Sequence, residues 1–370
     1  MQVSVGIGLL GCGTVGAEVA DRLVSQRDVI QRATGTRYDL RGIAIRDAAK
    51  ERPRSLDRGL FTRDARALVE DPRVDVVVET IGGATDAAGL VESALERGRQ
   101  VVTANKDLIG TQGPRLRALA AARATTLRYD AAVGGAIPVL RTLGSALAGD
   151  VVHSVAGVLN GTCTFVLDAM ERGAALNEAV ACAQELGFAE ADPSNDLEGA
   201  DAAHKLAAIA QLAFGVAVIS PRIRRRGIAS VTTRDIERAR TIGARIRLVA
   251  VAARTAHGIA AEVAPVLVPH THEFARTTGS ENVVHIDARD AGRLMLRGAG
   301  AGGPQTSSAV IGDVIAALRT LGQRRDLRSV EWAGLEPALD VAPFFARHAR
   351  NKALPEYPLW DVPQSAKVPA

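Results

Sequence analysis

An apolar run from Val3 to Leu10 feeds directly into Gly11-Cys12-Gly13-Thr14-Val15-Gly16, and a helix-like segment follows from Thr14 to Val24. A strand, a glycine turn and a helix in that order form the opening unit of a parallel, dinucleotide-binding sheet. Gly11, Gly13 and Gly16 allow a tight turn, let the backbone approach a pyrophosphate, and let helix pack closely on strand. The helix start leaves N–H groups free to hold an anion. Gly11, Gly13, Thr14, Val15 and Gly16 are therefore candidate cofactor residues. The same spacing recurs as Gly6-x-Gly8-x-x-Gly11, but that register leaves almost no strand before the turn, which favours the later one.

The alternation continues. "YDLRGIAIRD", "VDVVVETIG", "GRQVVTANK" and "TTLRYDAAVGGAIP" read as a second to fifth strand with alanine-rich helical segments between them. Strands alternating with helices predict an α/β, Rossmann-like open parallel sheet with helices on both faces. After Pro138 the pattern changes to longer strand-like runs, "VVHSVAGVLNG", "RIRLVAVAART" and "IAAEVAPVLVP", which predict a second, α+β domain. A chain of 370 residues, 47% hydrophobic, is ample for both. Its net charge of +4 comes without a basic run interleaved with aromatics, so no nucleic-acid partner is expected, and Arg224 to Arg226 reads as a solvated loop edge. Cys12, Cys163 and Cys182 are too scattered for a metal site or a disulfide framework. With no membrane span or signal peptide in the pattern, the expected location is the cytoplasm.

After the second strand, where an acid would receive the ribose hydroxyls of NAD(H), the sequence reads "IRDAAKER". Arg46, with Lys50 and Arg52 close behind, suits a 2′-phosphate and favours NADP(H); Asp47 keeps NAD(H) in play, and a plain charged loop is the alternative.

Lysine usage is the next constraint. The chain has five lysines, at positions 50, 106, 205, 352 and 367, against forty arginines. Arginine cannot fill a role that needs a compact ammonium able to lose a proton. Lys106 ends "TANK" at the carboxyl end of the fourth strand, where ligands sit in open α/β sheets. Lys205 ends "EADPSNDLEGADAAHK", behind Glu190, Asp192, Asp196, Glu198 and Asp201. Asp201 and Lys205, four apart in an alanine-rich segment, share one helix face, leaving His204 on another. A surface ion pair is the plain alternative, but it leaves the carboxylate-rich loop unexplained.

That loop and helix resemble the signature of homoserine dehydrogenases, in the pattern Ala183, Gly187, Phe188, Asp192, Pro193, Asp196, Gly199, Asp201 and Lys205. The resemblance extends through "TANK", "VGGAIP", "LNGT" and "GAGAGGPQTSSAV" and fades after about residue 330. It implies NAD(P)H-dependent interconversion of L-aspartate 4-semialdehyde and L-homoserine. Lys205 is then expected as proton donor, with Lys106 orienting the substrate and touching the nicotinamide, although either lysine satisfies the pattern as donor. Glu190, Asp201 and Asp196 are expected to hold the substrate, chiefly its ammonium. Arg46, Thr80, Asn105, Lys106, Gly187 and Gly302 join the glycine turn around the cofactor.

The resemblance also implies a monovalent cation, Na+ or K+, near the hinge. Its expected ligands are Asp130, standing where the family has glutamate, and the carbonyls of Val133, Gly135 and Ile137; the alternative makes Asp130 a hinge residue that caps backbone N–H groups. It further implies a homodimer paired through the second sheet. The expected division is residues 1–137 for the dinucleotide domain, completed by about 300–340, then 138–299 for the substrate and dimerisation domain, then a C-terminal extension over 341–370. That extension is short for the regulatory amino-acid-binding domain many relatives append, so a form without one is expected. A related oxidoreductase for another amino-acid semialdehyde would share every motif, whereas a catalytically silent binding protein would have no use for Lys106, Glu190, Asp201 and Lys205 together.

Overall fold

Strand β1 (Val5–Leu10) is buried along its whole length, as expected of the central strand of a sheet covered on both faces. The structure, a computed structural model, describes residues 4–50, 52–53 and 55–322, so the expected 341–370 extension lies outside the described residues. Strands β2 (Tyr38–Ala44), β3 (Phe61–Thr62), β4 (Val76–Glu79), β5 (Gln100–Thr103) and β6 (Leu127–Arg128) join β1 in a parallel sheet ordered β3-β2-β1-β4-β5-β6. The order reverses between β1 and β4, which opens a ligand crevice at their carboxyl ends.

Helices α1 (Thr14–Ser25), α2 (Arg27–Thr34), α3 (Ala65–Glu70), α4 (Ala84–Glu96) and α5 (Lys106–Ala122) connect these strands. The strand period of two explains how both faces are covered. Val76 and Val78 enter one core with Val19 and Leu23 of α1, while Val77 enters another with Val91 of α4 and Leu116 of α5.

The second sheet contains β7 (Val152–Val158), β8 (Arg224–Arg225), β9 (Ala244–Thr255), β10 (Gly258–Pro269), β11 (Glu281–Ala288) and β12 (Gly292–Ala299), in the order β12-β11-β7-β9-β10-β8. It is antiparallel except for β8 beside β10. Helices α6 (Val139–Arg141), α7 (Gly161–Glu171), α8 (Leu176–Glu185), α9 (Ser194–Leu197), α10 (Ala200–Phe214) and α11 (Thr233–Thr241) belong to this region. Ala203, Leu206 and Ala210 of α10 share a core with Leu248, Ala250 and Ala252 of β9. Helix α12 (Gly303–Leu321) returns to the first sheet, where Val310, Val314 and Leu318 share a core with Ile7 and Leu9.

The fold class matches the expectation, with local differences. The fifth predicted strand shrinks to β6, because Asp130–Ala132 coils into a 3-10 turn and Gly134 and Gly135 take left-handed φ of 71° and 57°. Arg224 and Arg225 form an exposed edge strand rather than a loop, with Arg224 opposite Glu262. Charge on an edge strand discourages further pairing. The β11–β12 hairpin also went unpredicted.

Candidate active site

The glycine turn is shaped by close backbone approach. Gly11 has φ of 95°, and a Cβ on Gly16 would lie 2.2 Å from the Gly11 carbonyl oxygen and 2.6 Å from Thr80 Oγ1. Thr80, just past β4, donates from its hydroxyl to the carbonyls of Leu10 and Gly11, both at 3.1 Å, and so pins the turn. Gly13 has nothing within 4 Å of a would-be Cβ and caps α1 without a side chain, leaving the helix N–H groups open to an anion. A cavity of about 600 Å³ lies against this turn, lined among others by Gly11, Gly13, Arg46, Lys50, Arg63 and Thr80. These features fit a dinucleotide: a bare-backbone cradle, a free helix start and a cationic rim.

Not all the predicted cations are free to serve. Arg52 donates to the carbonyls of Asp47, at 2.6 Å, and Lys50, at 2.8 Å, and lies over the Phe61 ring, so it folds its own loop. Arg63, which the sequence reading passed over, lines the cavity as well. Asn105 caps α5, accepting from Leu108 N at 3.0 Å and donating to Gly83 O at 2.7 Å. Gly302, with φ of 118°, starts α12, and a Cβ on the adjacent Gly303 would lie 3.1 Å from Thr14 Cγ2, so the second glycine segment abuts the first. Gly187 closes α8 with φ of 76° and faces open space.

Helices α5 and α10 bring the two lysines together. Their close approach depends on Gly110, where a Cβ would sit 2.8 Å from the His204 Cα, and His204 Nδ1 lies 2.9 Å from Asp107 Oδ1 across the contact. Lys106 opens α5 and Asp201 lies in the first turn of α10. Asp201, 3% exposed, is shared: Oδ1 lies 2.5 Å from Lys106 Nζ and Oδ2 lies 2.8 Å from Lys205 Nζ. Lys205 Nζ also donates to the Leu159 carbonyl at 2.7 Å, a carbonyl that Asn282 contacts at 3.2 Å.

A buried carboxylate would ordinarily titrate high. Burial does push Asp201 up, but the two ammonium groups outweigh it and hold its pKa below the usual carboxylate range. For Lys106, burial pulls the pKa down while Asp201 more than compensates and holds it above the usual lysine range. A cation at a helix N-terminus is disfavoured by the helix dipole, which makes this carboxylate partner necessary.

Asn160, to which the sequence reading gave no role, organises the acidic loop. Its Nδ2 donates to Asp196 Oδ1 at 2.6 Å and Asp201 Oδ2 at 2.8 Å, while its Oδ1 caps α7 at Cys163 N, 2.7 Å. An Asn followed by Gly-Thr at a helix start was the available signal. Asp196 therefore joins the cluster. Glu190 is exposed, and its carboxylate has no hydrogen bond or ion pair among the described residues. Glu79, also missed, is fully buried at the end of β4; it accepts from Ile81 N at 2.7 Å and from the Thr103 hydroxyl, tying β4 to β5 beneath the crevice.

The hinge differs from expectation. Asp130 Oδ2 lies 2.9 Å from Arg141 Nη2, and the Ile137 carbonyl already accepts from Val139 N at 2.8 Å. With the carboxylate facing a guanidinium and one of the three carbonyls engaged, Asp130, Val133, Gly135 and Ile137 do not fit the monovalent-cation site expected of them.

A doubly wound nucleotide-binding sheet joined to a second, mixed sheet, with two lysines around a buried aspartate between α5 and α10, fits a nicotinamide-dependent oxidoreductase. The family model for the homoserine dehydrogenase NAD-binding domain matches residues 11–130, and that for homoserine dehydrogenase matches residues 138–315. The homoserine dehydrogenase of Corynebacterium glutamicum is 43% identical over 322 residues, 85% of this chain and 72% of that protein. That of Mycobacterium tuberculosis is 42% identical over 328 residues, 86% of this chain and 74% of that protein. The crystal structure of a homoserine dehydrogenase from Thiobacillus denitrificans superposes with a TM-score of 0.82 at 37% identity, covering 86% of this chain and 74% of that one. The chain belongs to the homoserine dehydrogenase family.

Proposed function

We propose that the chain reversibly reduces L-aspartate 4-semialdehyde to L-homoserine with NADPH, as a step in threonine and methionine biosynthesis, and that Lys205 supplies the proton. The observation that carries this reading is the Lys106–Asp201–Lys205 array. A bound reduced nicotinamide supplies the hydride to the aldehyde carbon.

The residues of the chain position the substrate and handle the proton. An ammonium has three N–H donors. Lys205 uses two, on Leu159 O and Asp201 Oδ2, which leaves one for the reacting oxygen in a fixed direction. Lys106, which opens α5 and has a side chain 42% exposed, is assigned to orienting the substrate beside the nicotinamide. Each Asp201 oxygen faces a lysine ammonium, so we assign Asp201 to spacing the lysines and Glu190 and Asp196 to the substrate ammonium.

Arg46 and Lys50, joined by Arg63, support NADP(H) over NAD(H). The domain division at about residue 137 follows the change from one sheet to the other. Pairing as a homodimer is supported by exposed Met295 and Val251 on the sheet face away from α10, a face that the Glu273–Arg276 turn covers in part through Phe274 packed on His285. A spectrophotometric assay at the reduced-nicotinamide band tests the reading: homoserine should be oxidised with NADP+ in preference to NAD+. No turnover of homoserine with either cofactor would overturn it.

A further inference from the structure

Two buried carboxylates meet at the hinge with one guanidinium between them. Asp130 ends the first sheet region, Arg141 closes the short helix α6 that follows, and Asp313 reaches them from α12, far along the chain. Arg141 Nη2 lies 2.9 Å from Asp130 Oδ2 and 3.3 Å from Asp313 Oδ1, while Asp313 Oδ2 accepts from the Asp130 backbone N–H at 2.8 Å. The two acid side chains are only 10% and 6% exposed, against 47% for the arginine. Carboxylates this close and this dry repel each other, and burial together with Asp130 pushes Asp313 up to about 7, so a cation touching both stabilises their charged forms.

The seat for that cation is shaped to the guanidinium. A Cβ on Gly312, the residue before Asp313, would lie 3.1 Å from Arg141 Nη2 and 3.4 Å from Nη1. Bare backbone at 312 thus lets the guanidinium lie against α12. Its planar fork remains charged at every working pH and reaches both acids at once.

We infer that Arg141 is the built-in counter-ion of this hinge and does the work for which a hinge of this kind otherwise recruits Na+ or K+. The cation is covalently tethered, so its occupancy does not depend on the ions in solution. Enzyme stability and turnover are therefore indifferent to which monovalent cation is present.

The test compares melting temperature and homoserine oxidation in KCl, NaCl and choline chloride at matched ionic strength. Wild type should melt at the same temperature and turn over at the same rate in all three. Arg141→Gln, which removes the guanidinium that touches both acids, should melt lower in choline chloride and regain most of the loss, saturably, in KCl or NaCl. If Arg141→Gln does not fold, Arg141→Ala removes the guanidinium without leaving an amide beside the acids and carries the same readout. Specific stabilisation of wild type by Na+ or K+ over choline would overturn the inference. So would a variant that melts lower but gains nothing from either ion, or one that melts like wild type. Melting requires no turnover, so failure here is distinguishable from failure of the proposed reaction.

Discussion

Replacing Asp201 with asparagine preserves shape and removes the negative charge that two ammonium groups share. The carboxylate is 3% exposed, with Lys106 at 2.5 Å and Lys205 at 2.8 Å. An asparagine has one acceptor oxygen, so one lysine loses its partner and an NH2 donor faces a cation instead. Breaking a buried ion pair costs about 3–5 kcal/mol. The Lys106 side chain is 42% exposed and can turn to water, which places the expected loss at the low end, about 3 kcal/mol. At roughly 2 °C per kcal/mol for a chain of this size, melting should fall on the order of 6 °C.

The pH dependence carries a definite sign. The folded-state pKa of Asp201 is depressed, so its contribution is fully present above the unfolded carboxylate value, near ~4, and is lost as pH falls through the folded value. The gap in melting temperature between wild type and Asp201→Asn should therefore be constant near neutrality and narrow below about pH 4. Scanning fluorimetry across pH measures it, beside steady-state homoserine oxidation, in which kcat should fall about 10²–10⁴-fold as the lysines lose their placement. A variant that melts like wild type at neutral pH, or a gap that does not change with acid, would refute the electrostatic account.

Three further outcomes follow from separate parts of the structure. Arg46→Ala should lower kcat/KM for NADP(H) about tenfold or more relative to NAD(H), since a charge-assisted hydrogen bond contributes about 1.5–3 kcal/mol; an unchanged ratio would mean the loop is misassigned. Gly110→Ala drives a methyl into the His204 backbone and should destabilise by about 1–3 kcal/mol while slowing turnover through the displaced Lys106, readable as a joint drop in melting temperature and kcat. Val251→Glu places a charge at an exposed apolar position on the second sheet, and size-exclusion chromatography with light scattering should show the proposed dimer shifted to monomer.

Much of this was legible in the residues because the signals are local. The strand, glycine turn and helix at Val5 to Ser25 are marked by Gly11 and Gly16, whose Cβ positions are filled by backbone, and the Asp201–Lys205 spacing placed both groups on one face of α10. The contacts that complete the site span long sequence separations, and no local pattern encodes them. Lys106 meets Asp201 only because α5 and α10 touch at Gly110, and Asn160 reaches Asp196 and Asp201 from the start of α7. Arg141 escaped notice for the same reason: its carboxylate partners lie in β6's outgoing turn and in α12. The β11–β12 hairpin was missed because "GRLMLRGA" has no long apolar run, with exposed Arg293, Met295 and Arg297 set around half-buried Leu294 and Leu296.

Lys205→Arg in the homoserine–NADP+ reaction tests the central claim most directly. Arginine keeps the positive charge beside Asp201 but holds its proton too tightly to exchange it with the reacting oxygen. The account predicts a kcat lower by about 10²–10⁴-fold, with KM for homoserine and for cofactor nearly unchanged. Near-normal kcat with a raised KM would contradict it, making Lys205 a binding residue and Lys106 the donor.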